Sequence, residues 1–286
     1  MPSTGSTPVA GAIREAVGVL SASGVASPRA DAELLAAHVL GVPRSRLALA
    51  RPLTAPQAER LRALVTARAE RVPLQHLTGL APFRHLDLAV GPGVFVPRPE
   101  TELLVDWGLA AVAGQRAPVV VDLCAGSGAI ALSVAQECPQ ATVYAVEREP
   151  AALEWLRRNA AGTRVSIVDG DATGADTLST LDGTVDLVLS NPPYVPSGAP
   201  VDLEVSVHDP GTAVFAGPDG LDVIRVLVPR VAALLRSGGW FGCEHDEGQA
   251  LDVPTLLRKD GRYGEIADHA DLGGRPRFAT ARRLAH

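Results

Sequence analysis

Val119-Val-Val-Asp-Leu-Cys-Ala-Gly-Ser-Gly128 is the stretch whose reading decides the fold. Three β-branched residues in succession leave no polar face between them, as in a strand buried on both sides. Gly126 and Gly128 then let the backbone turn and approach a ligand with no Cβ in the way, and helical spacing begins at about Ser127. Outward from this unit the alternation repeats. Strands are predicted at Thr142 to Val146, Arg164 to Val168, Val185 to Leu189 and Trp240 to Cys243, with late ones near Tyr263 to Ala267 and Arg277 to Ala281. Helices are predicted over Pro150 to Ala160, with Ala152, Leu153, Leu156 and Asn159 in its repeat, and around Leu221 to Leu235. The pattern predicts an α/β, Rossmann-like parallel sheet with helices on both faces and ligands at the carboxyl ends of its strands.

Upstream the period changes. Ile13, Val17 and Leu20, then Leu34, Leu35, Val39 and Leu40, then Leu61, Leu64 and Val65 recur at helical spacing. Ser27 before Pro28, and Thr54-Ala-Pro-Gln57 with its capping box, mark two helix starts. Phe83, Leu86, Leu88 and Val90 alternate with polar residues, and Gly91-Pro92-Gly93 separates them from Val94-Phe95-Val96, which predicts a β-hairpin turning at the glycines. Three segments follow: a helical docking domain over 1–79, a hairpin linker over 80–99 and a catalytic domain over 100–286.

The 286 residues are 47% hydrophobic and 20% charged, which excludes bulk disorder. The formal charge of −6 hides an asymmetry. Residues 1–80 hold nine Arg against five acidic residues, or +4, and the remainder holds 17 basic against 27 acidic, or −10. Cys124, Cys138 and Cys243 have neither disulfide nor zinc spacing. No apolar run is long enough for a membrane span, and Met1 to Pro8 lack the features of a secretion leader, so a reduced, cytoplasmic chain is expected.

The chemistry concentrates at two places. In the glycine loop, Asp122 can hold a cationic amino-acid moiety, Glu147 at the end of the second strand can accept both hydroxyls of a ribose, and Asp171 can border an adenine. Gly126-x-Gly128-x-x-Ala131 also fits a relaxed dinucleotide fingerprint, so nicotinamide and S-adenosylmethionine both remain open on the loop alone. After the fourth strand stands Asn191-Pro192-Pro193-Tyr194. The Asn191 side-chain oxygen and the Pro192 carbonyl can each accept one N–H of a substrate NH₂ group. Pro193 has no N–H to compete for that carbonyl, and Tyr194 can stack on a planar amide. Such a site works by positioning and needs no metal.

With these residues the chain resembles the protein-(glutamine-N5) methyltransferases that modify peptide chain release factors. The shared segments are Pro73-Leu-Gln-His-Leu-Thr-Gly79, Phe95-Val-Pro-Arg-Pro-Glu-Thr-Glu102, Asp122 to Ala131, Asn191 to Tyr194, Gly217-Pro-Asp-Gly-Leu-Asp222 and Asp271-Leu-Gly-Gly-Arg-Pro-Arg277. The resemblance implies an S-adenosylmethionine-dependent methyltransferase sheet and, as substrate, the glutamine of the Gly-Gly-Gln loop of a class 1 release factor. It also implies that the helical module contacts that factor. The cofactor contacts it carries over are Cys124, Ala125, Gly126, Ser127, Gly128, Glu147, Ala172 and Asn191. Cys124-Ala125 replaces the family's usual Gly-Thr, and Glu244-His245-Asp246 stands where Glu-Ile-Gly is common. A monomer with no nucleic-acid or membrane partner is expected.

Other residues read two ways. Arg98, Glu100 and Glu102 either line the active site or merely start a helix at Pro99. Glu244, His245, Asp246 and Glu247, with His208 and Asp209, read as a solvated acidic loop rather than a metal cluster, because successive strand residues point apart. The rival functions are an adenine amino-methyltransferase, which a catalytic portion at −10 disfavours, a nicotinamide oxidoreductase, which leaves Asn191 to Tyr194 unexplained, and a non-catalytic binding module.

Overall fold

The computed structural model describes residues 6–285, so Met1 to Gly5 of the stretch read for a leader lie outside it. The helices are α1 (Val9–Ala22), α2 (Pro28–Leu40), α3 (Ala55–Ala69), α4 (Leu74–Thr78), α5 (Thr101–Ala111), α6 (Ala129–Glu137), α7 (Pro150–Ala160), α8 (Leu203–His208), α9 (Asp222–Leu234) and α10 (Asp252–Asp260). The strands are β1 (Leu80–Phe83), β2 (Leu86–Ala89), β3 (Val119–Leu123), β4 (Thr142–Glu147), β5 (Ser166–Asp169), β6 (Val185–Ser190), β7 (Leu235–Glu244), β8 (Tyr263–Ala270) and β9 (Pro276–Arg283). The chain divides into two units. One runs to Leu80 and takes in Asp202–His208; the other comprises Ala81–Val201 and Asp209 onward.

In the first unit, α1, α2 and α3 bury Leu20, Leu35, Leu53, Leu61 and Val65. Thr54 caps α3 with the reciprocal bonds of a capping box, its side chain accepting from Gln57 N while the Gln57 side chain accepts from Thr54 N. Leu34 departs from the predicted stripe and is 37% exposed, because Ala32, Leu35, Ala36 and Val39 form the buried face instead. Asp202–His208, unforeseen in the sequence, belongs here through Arg68. That guanidinium donates to Asp31 at 2.7 Å and to Glu204 at 2.8 Å.

The second unit is a seven-stranded sheet in the order β5-β4-β3-β6-β7-β9-β8. Val120, Leu187 and Leu189 pack with Leu104, Ile130, Leu153 and Leu156 in one core, and Val121, Val188 and Phe241 with Ile224, Leu227, Val253 and Leu257 in another. The expected parallel sheet holds from β5 through β7, and only its last strand pairings depart from it, since β9 runs antiparallel to both β7 and β8. Only Asp271 to Arg275 joins β8 to β9, too short for the crossover that parallel strands require.

The hairpin also differs from its expectation. Its strands are β1 and β2, its turn is Arg84-His85, and Val94 to Val96 form no strand. The glycines taken for the turn answer to packing. A Cβ on Gly91 would lie 2.5 Å from the Trp155 ring, and one on Gly93 would lie 2.6 Å from the Ala151 Cβ, both on α7. Arg84 makes the turn with φ of 51°, held by its N–H to Glu102 Oε1 and its guanidinium to Glu137. Residues 81–96 therefore pack into the second unit, with Phe83 and Leu88 in its core.

Candidate active site

β3 is the switch point of the sheet. The chain leaves it toward β4 and β5 on one side and resumes with β6 on the other, so the loops after β3 and β6 open side by side. Leu123 is in register with Ser190, and the Ser190 hydroxyl donates to the Leu123 carbonyl at 2.7 Å. That bond holds the glycine loop against the residues that begin with Asn191.

The loop is tied down at every side. Ala125 N–H donates to the Val146 carbonyl, and Gly126 N–H donates to Glu147 Oε2 at 2.8 Å. Glu147 Oε1 accepts from the N–H groups of Arg148 and Glu149. The predicted ribose acceptor is thus oriented by three backbone donors, and a carboxylate so engaged retains lone-pair capacity on Oε2. Gly126 has φ of 56° and nothing within 4 Å of where a Cβ would stand, whereas a Cβ on Gly128 would lie 2.6 Å from Leu156 Cδ1. The first glycine leaves room at the loop; the second lets α6 pack on α7. Cys124 adopts φ of 66°, a conformation that favours glycine, and burial pushes its thiol up, which makes it unsuited to serve as a nucleophile.

Asp122 is fully buried. Its Oδ2 accepts the Ala131 N–H at 3.0 Å, while Oδ1 is buried without a partner among the described residues. Burial pushes its pKa up to about 8, with the nearby Glu147 charge adding to the rise and the Ala131 bond opposing it. An orphaned acidic oxygen beneath an open glycine turn fits a ligand that brings a positive charge or a donor. Asp171 borders the same end of the sheet, held by the Thr173 N–H and hydroxyl and by Arg148, with Ala172 buried beside it. Asn159, read only as part of a helical repeat, donates to the Ser127 carbonyl and pairs with both backbone groups of Ala89, which ties the glycine loop to β2.

At the second loop, Pro192 and Pro193 are buried, and no donor among the described residues reaches the Pro192 carbonyl or Asn191 Oδ1. Asn191 Nδ2 donates to Thr101 Oγ1 at 3.1 Å, the Thr101 hydroxyl donates to Glu244 Oε2 at 2.7 Å, and the Tyr194 hydroxyl donates to Glu244 Oε1 at 3.0 Å. Burial raises Glu244, opposed by these bonds and by the charge of Arg277, and it raises Tyr194 well above its ordinary value. The backbone beyond Tyr194 is fixed by Gln249, whose Nε2 donates to the Tyr194 carbonyl at 2.9 Å, and by Gly220, where any Cβ would collide with that carbonyl.

Two expectations change. Glu244 and His245 are not a solvated loop but are 2% and 0% exposed, with His245 bridging the Asp246 carbonyl and Asp268; only Glu247 of the four is fully open to solvent. Within Pro99-Glu-Thr-Glu102 the residue that reaches the site is Thr101, which composition gave no reason to single out. Glu102 instead supports the hairpin turn, and Arg98 pairs with Asp209 and lies over the Phe95 ring. No cluster of metal-ligating side chains occurs among the described residues.

Comparison with known proteins bears on these loops. Residues 11–79 match a family described as PrmC N-terminal domain, and residues 74–206 match the methyltransferase small domain. A release factor glutamine methyltransferase of Mycolicibacterium smegmatis is 53% identical over 96% of this chain and 97% of its own length. One of Streptomyces coelicolor is 49% identical over 95% and 96%. A 4-amino-L-phenylalanine/4-methylamino-L-phenylalanine methyltransferase of Streptomyces pristinaespiralis is 41% identical over 91% and 90%. Among solved structures the hMettl16 catalytic domain, in complex with a 3′UTR hairpin, has a TM-score of 0.55 at 15% identity over 83% of this chain and 86% of that one, a likeness of fold alone.

Proposed function

The chain belongs to the release factor glutamine methyltransferases, and from that premise we propose that Asn191, Pro192, Pro193 and Tyr194 bind and orient the glutamine amide of a class 1 release factor's Gly-Gly-Gln motif for methylation at N5. The protein is an S-adenosyl-L-methionine-dependent enzyme that methylates a release factor glutamine. What supports the assignment of residues is the adjacency of an open glycine loop, with its orphaned carboxylate oxygen, to a pair of carbonyl acceptors at the ends of neighbouring strands.

In this reading Asp122, Cys124, Ala125, Gly126, Ser127, Gly128, Glu147, Asp171, Ala172 and Asn191 hold the cofactor, which supplies an electrophilic methyl group on a sulfonium. An amide nitrogen is a poor nucleophile because its lone pair is shared with the carbonyl. Asn191 Oδ1 and the Pro192 carbonyl accept its two N–H bonds, push electron density back onto nitrogen and fix its lone pair along one line. Tyr194, its hydroxyl anchored on Glu244, closes one face of the planar amide. The helical unit docks the release factor. No helix among the described residues is long and apolar enough to cross a membrane.

The test is methyl transfer from labelled cofactor to an intact release factor, with the modified residue mapped by mass. Asn191→Ala is expected to lose at least about 100-fold in kcat, as removal of a positioning contact can cost. Full activity of that variant, or methylation of a factor whose Gly-Gly-Gln glutamine is replaced, overturns the assignment. The Streptomyces pristinaespiralis relative makes an aromatic amine the second acceptor to try; preferential transfer to 4-amino-L-phenylalanine would redirect the substrate reading.

A further inference from the structure

We propose that Glu244, acting through Thr101, sets which end of the Asn191 side-chain amide faces the substrate, and with its second oxygen fixes the Tyr194 ring. The inference rests on the role given above to Asn191. The three residues come from elements far apart in the chain. Asn191 follows β6 and Glu244 ends β7, each one residue past the paired Ser190 and Cys243, and Thr101 begins α5. Thr101 and Glu244 are 3% and 2% exposed, so bulk solvent does not reach their hydrogen bonds.

Hydrogen-bond direction decides which end of the amide faces Thr101. Glu244 accepts on both of its oxygens, from Tyr194 on Oε1 and from Thr101 on Oε2, so the single proton of the Thr101 hydroxyl is committed to Oε2. What Thr101 Oγ1 has left is a lone pair. Its neighbour on Asn191 must then be the NH₂ end of the amide, and the carbonyl end turns to the opposite side. That side must offer an acceptor, because a substrate amide brings two N–H donors. With the opposite polarity, the Asn191 NH₂ would meet the substrate NH₂ donor to donor. A side-chain amide is nearly symmetric in shape, so packing alone does not choose between its two ends; the carboxylate does, one hydroxyl away.

The same carboxylate accepts the Tyr194 hydroxyl on Oε1. One buried group therefore orients both the acceptor that grips the reacting nitrogen and the ring that closes over it. Arg277 on β9 is the cation near Glu244, and its own hydrogen bond goes to Asp271, so it steadies the charge without supplanting either donor. Glu244 and Thr101 are positioning residues.

Thr101→Val keeps the shape of the side chain and removes the hydroxyl; Thr101→Ser keeps the hydroxyl. The proposal expects Thr101→Val to lower kcat on the release factor on the order of 10- to 100-fold, the effect of misplacing a reacting group. Thr101→Ser should stay within about threefold of the parent, and the Kd for S-adenosylhomocysteine should be unchanged in both. In nuclear magnetic resonance spectra, the Asn191 side-chain NH₂ protons should exchange slowly in the parent and the Ser variant and quickly in the Val variant. Should Thr101→Val fail to fold, the isosteric Glu244→Gln carries the test. Its NH₂ either donates to Thr101 and reverses the relay or displaces the Tyr194 proton, so kcat should fall similarly. Equal kcat for the Val and Ser variants, an unaltered Asn191 exchange rate in Thr101→Val, or a fully active Glu244→Gln overturns the proposal while leaving the Asn191 assignment intact. Full activity of Asn191→Ala overturns both.

Discussion

Asp122 couples the site to pH. Burial raises its pKa from 3.8 to about 8, so the folded chain keeps this proton where the unfolded chain has released it. Folding then takes up a proton between about pH 4 and 8, and the stability associated with the protonated group is lost as pH rises through that window, by up to about 1.4 kcal/mol per unit. Asp122→Asn abolishes the titration. Relative to their values near pH 4, the urea midpoint of the parent should fall toward pH 8 while that of the variant does not, so that the variant gains on the parent as pH rises; parallel curves would show that Asp122 is ionised throughout. The charge of a bound ammonium group would lower this pKa, so S-adenosylhomocysteine binding near pH 7 should release a proton, measured as a buffer-dependent binding enthalpy. The acid itself was legible in the sequence, as was its place before the glycine loop. Its isolation was not, since an orphaned Oδ1 depends on what packs around it. Thr101 shows the same limit more sharply: its partner Glu244 lies 143 residues on, and no local spacing connects them.

Among the elements, helix and strand periodicity located most of the second unit, and helix α7 began and ended where its pattern did. Glycine was the ambiguous signal. Gly91-Pro92-Gly93 resembles a turn in sequence yet serves the close approach of α7, while the true turn uses Arg84 in a left-handed conformation stabilised by Glu102 from α5. Gly128 has a similar dual character. It caps α6 with φ of 90°, and a Cβ there would press on both Leu156 and Leu132. Gly128→Ala is therefore expected to destabilise the second unit by about 1 to 3 kcal/mol through strain and overpacking. Gly126→Ala meets no neighbour and incurs only the backbone term, about 1 kcal/mol. Its larger effect should fall on cofactor affinity. Melting temperature and S-adenosylhomocysteine Kd, measured on both variants, separate the two glycines; a Gly128→Ala no less stable than Gly126→Ala would refute the packing account.

Across the whole molecule, the charge asymmetry takes a different value once the units are known. The first 80 residues carry +4, but Asp202–His208 returns Asp202 and Glu204 to the helical unit, reducing it to +2, and Glu204 lies on Arg68 and Arg71. Among the cations that remain available to a partner, Arg14, Arg46, Arg51 and Arg62 are exposed and without an ion pair among the described residues, and a fifth exposed arginine, Arg60, lies against the His38 ring nitrogen. If this unit docks the release factor, steering by four exposed cations raises the association rate at low salt and fades as the screening length falls below roughly 10 Å near 0.1 M ionic strength. KM for the release factor should therefore rise several-fold with added salt, while the Kd for S-adenosylhomocysteine, if the proposed glycine loop of the second unit holds it, should hardly change. A variant with those four arginines replaced by glutamine should start at the higher KM and lose most of the salt dependence, with kcat unchanged because all four belong to the first unit and none is among the residues proposed to bind cofactor or amide. A KM that ignores salt in the parent would mean that docking relies on apolar contact, and that the arginines serve only to keep the surface charged.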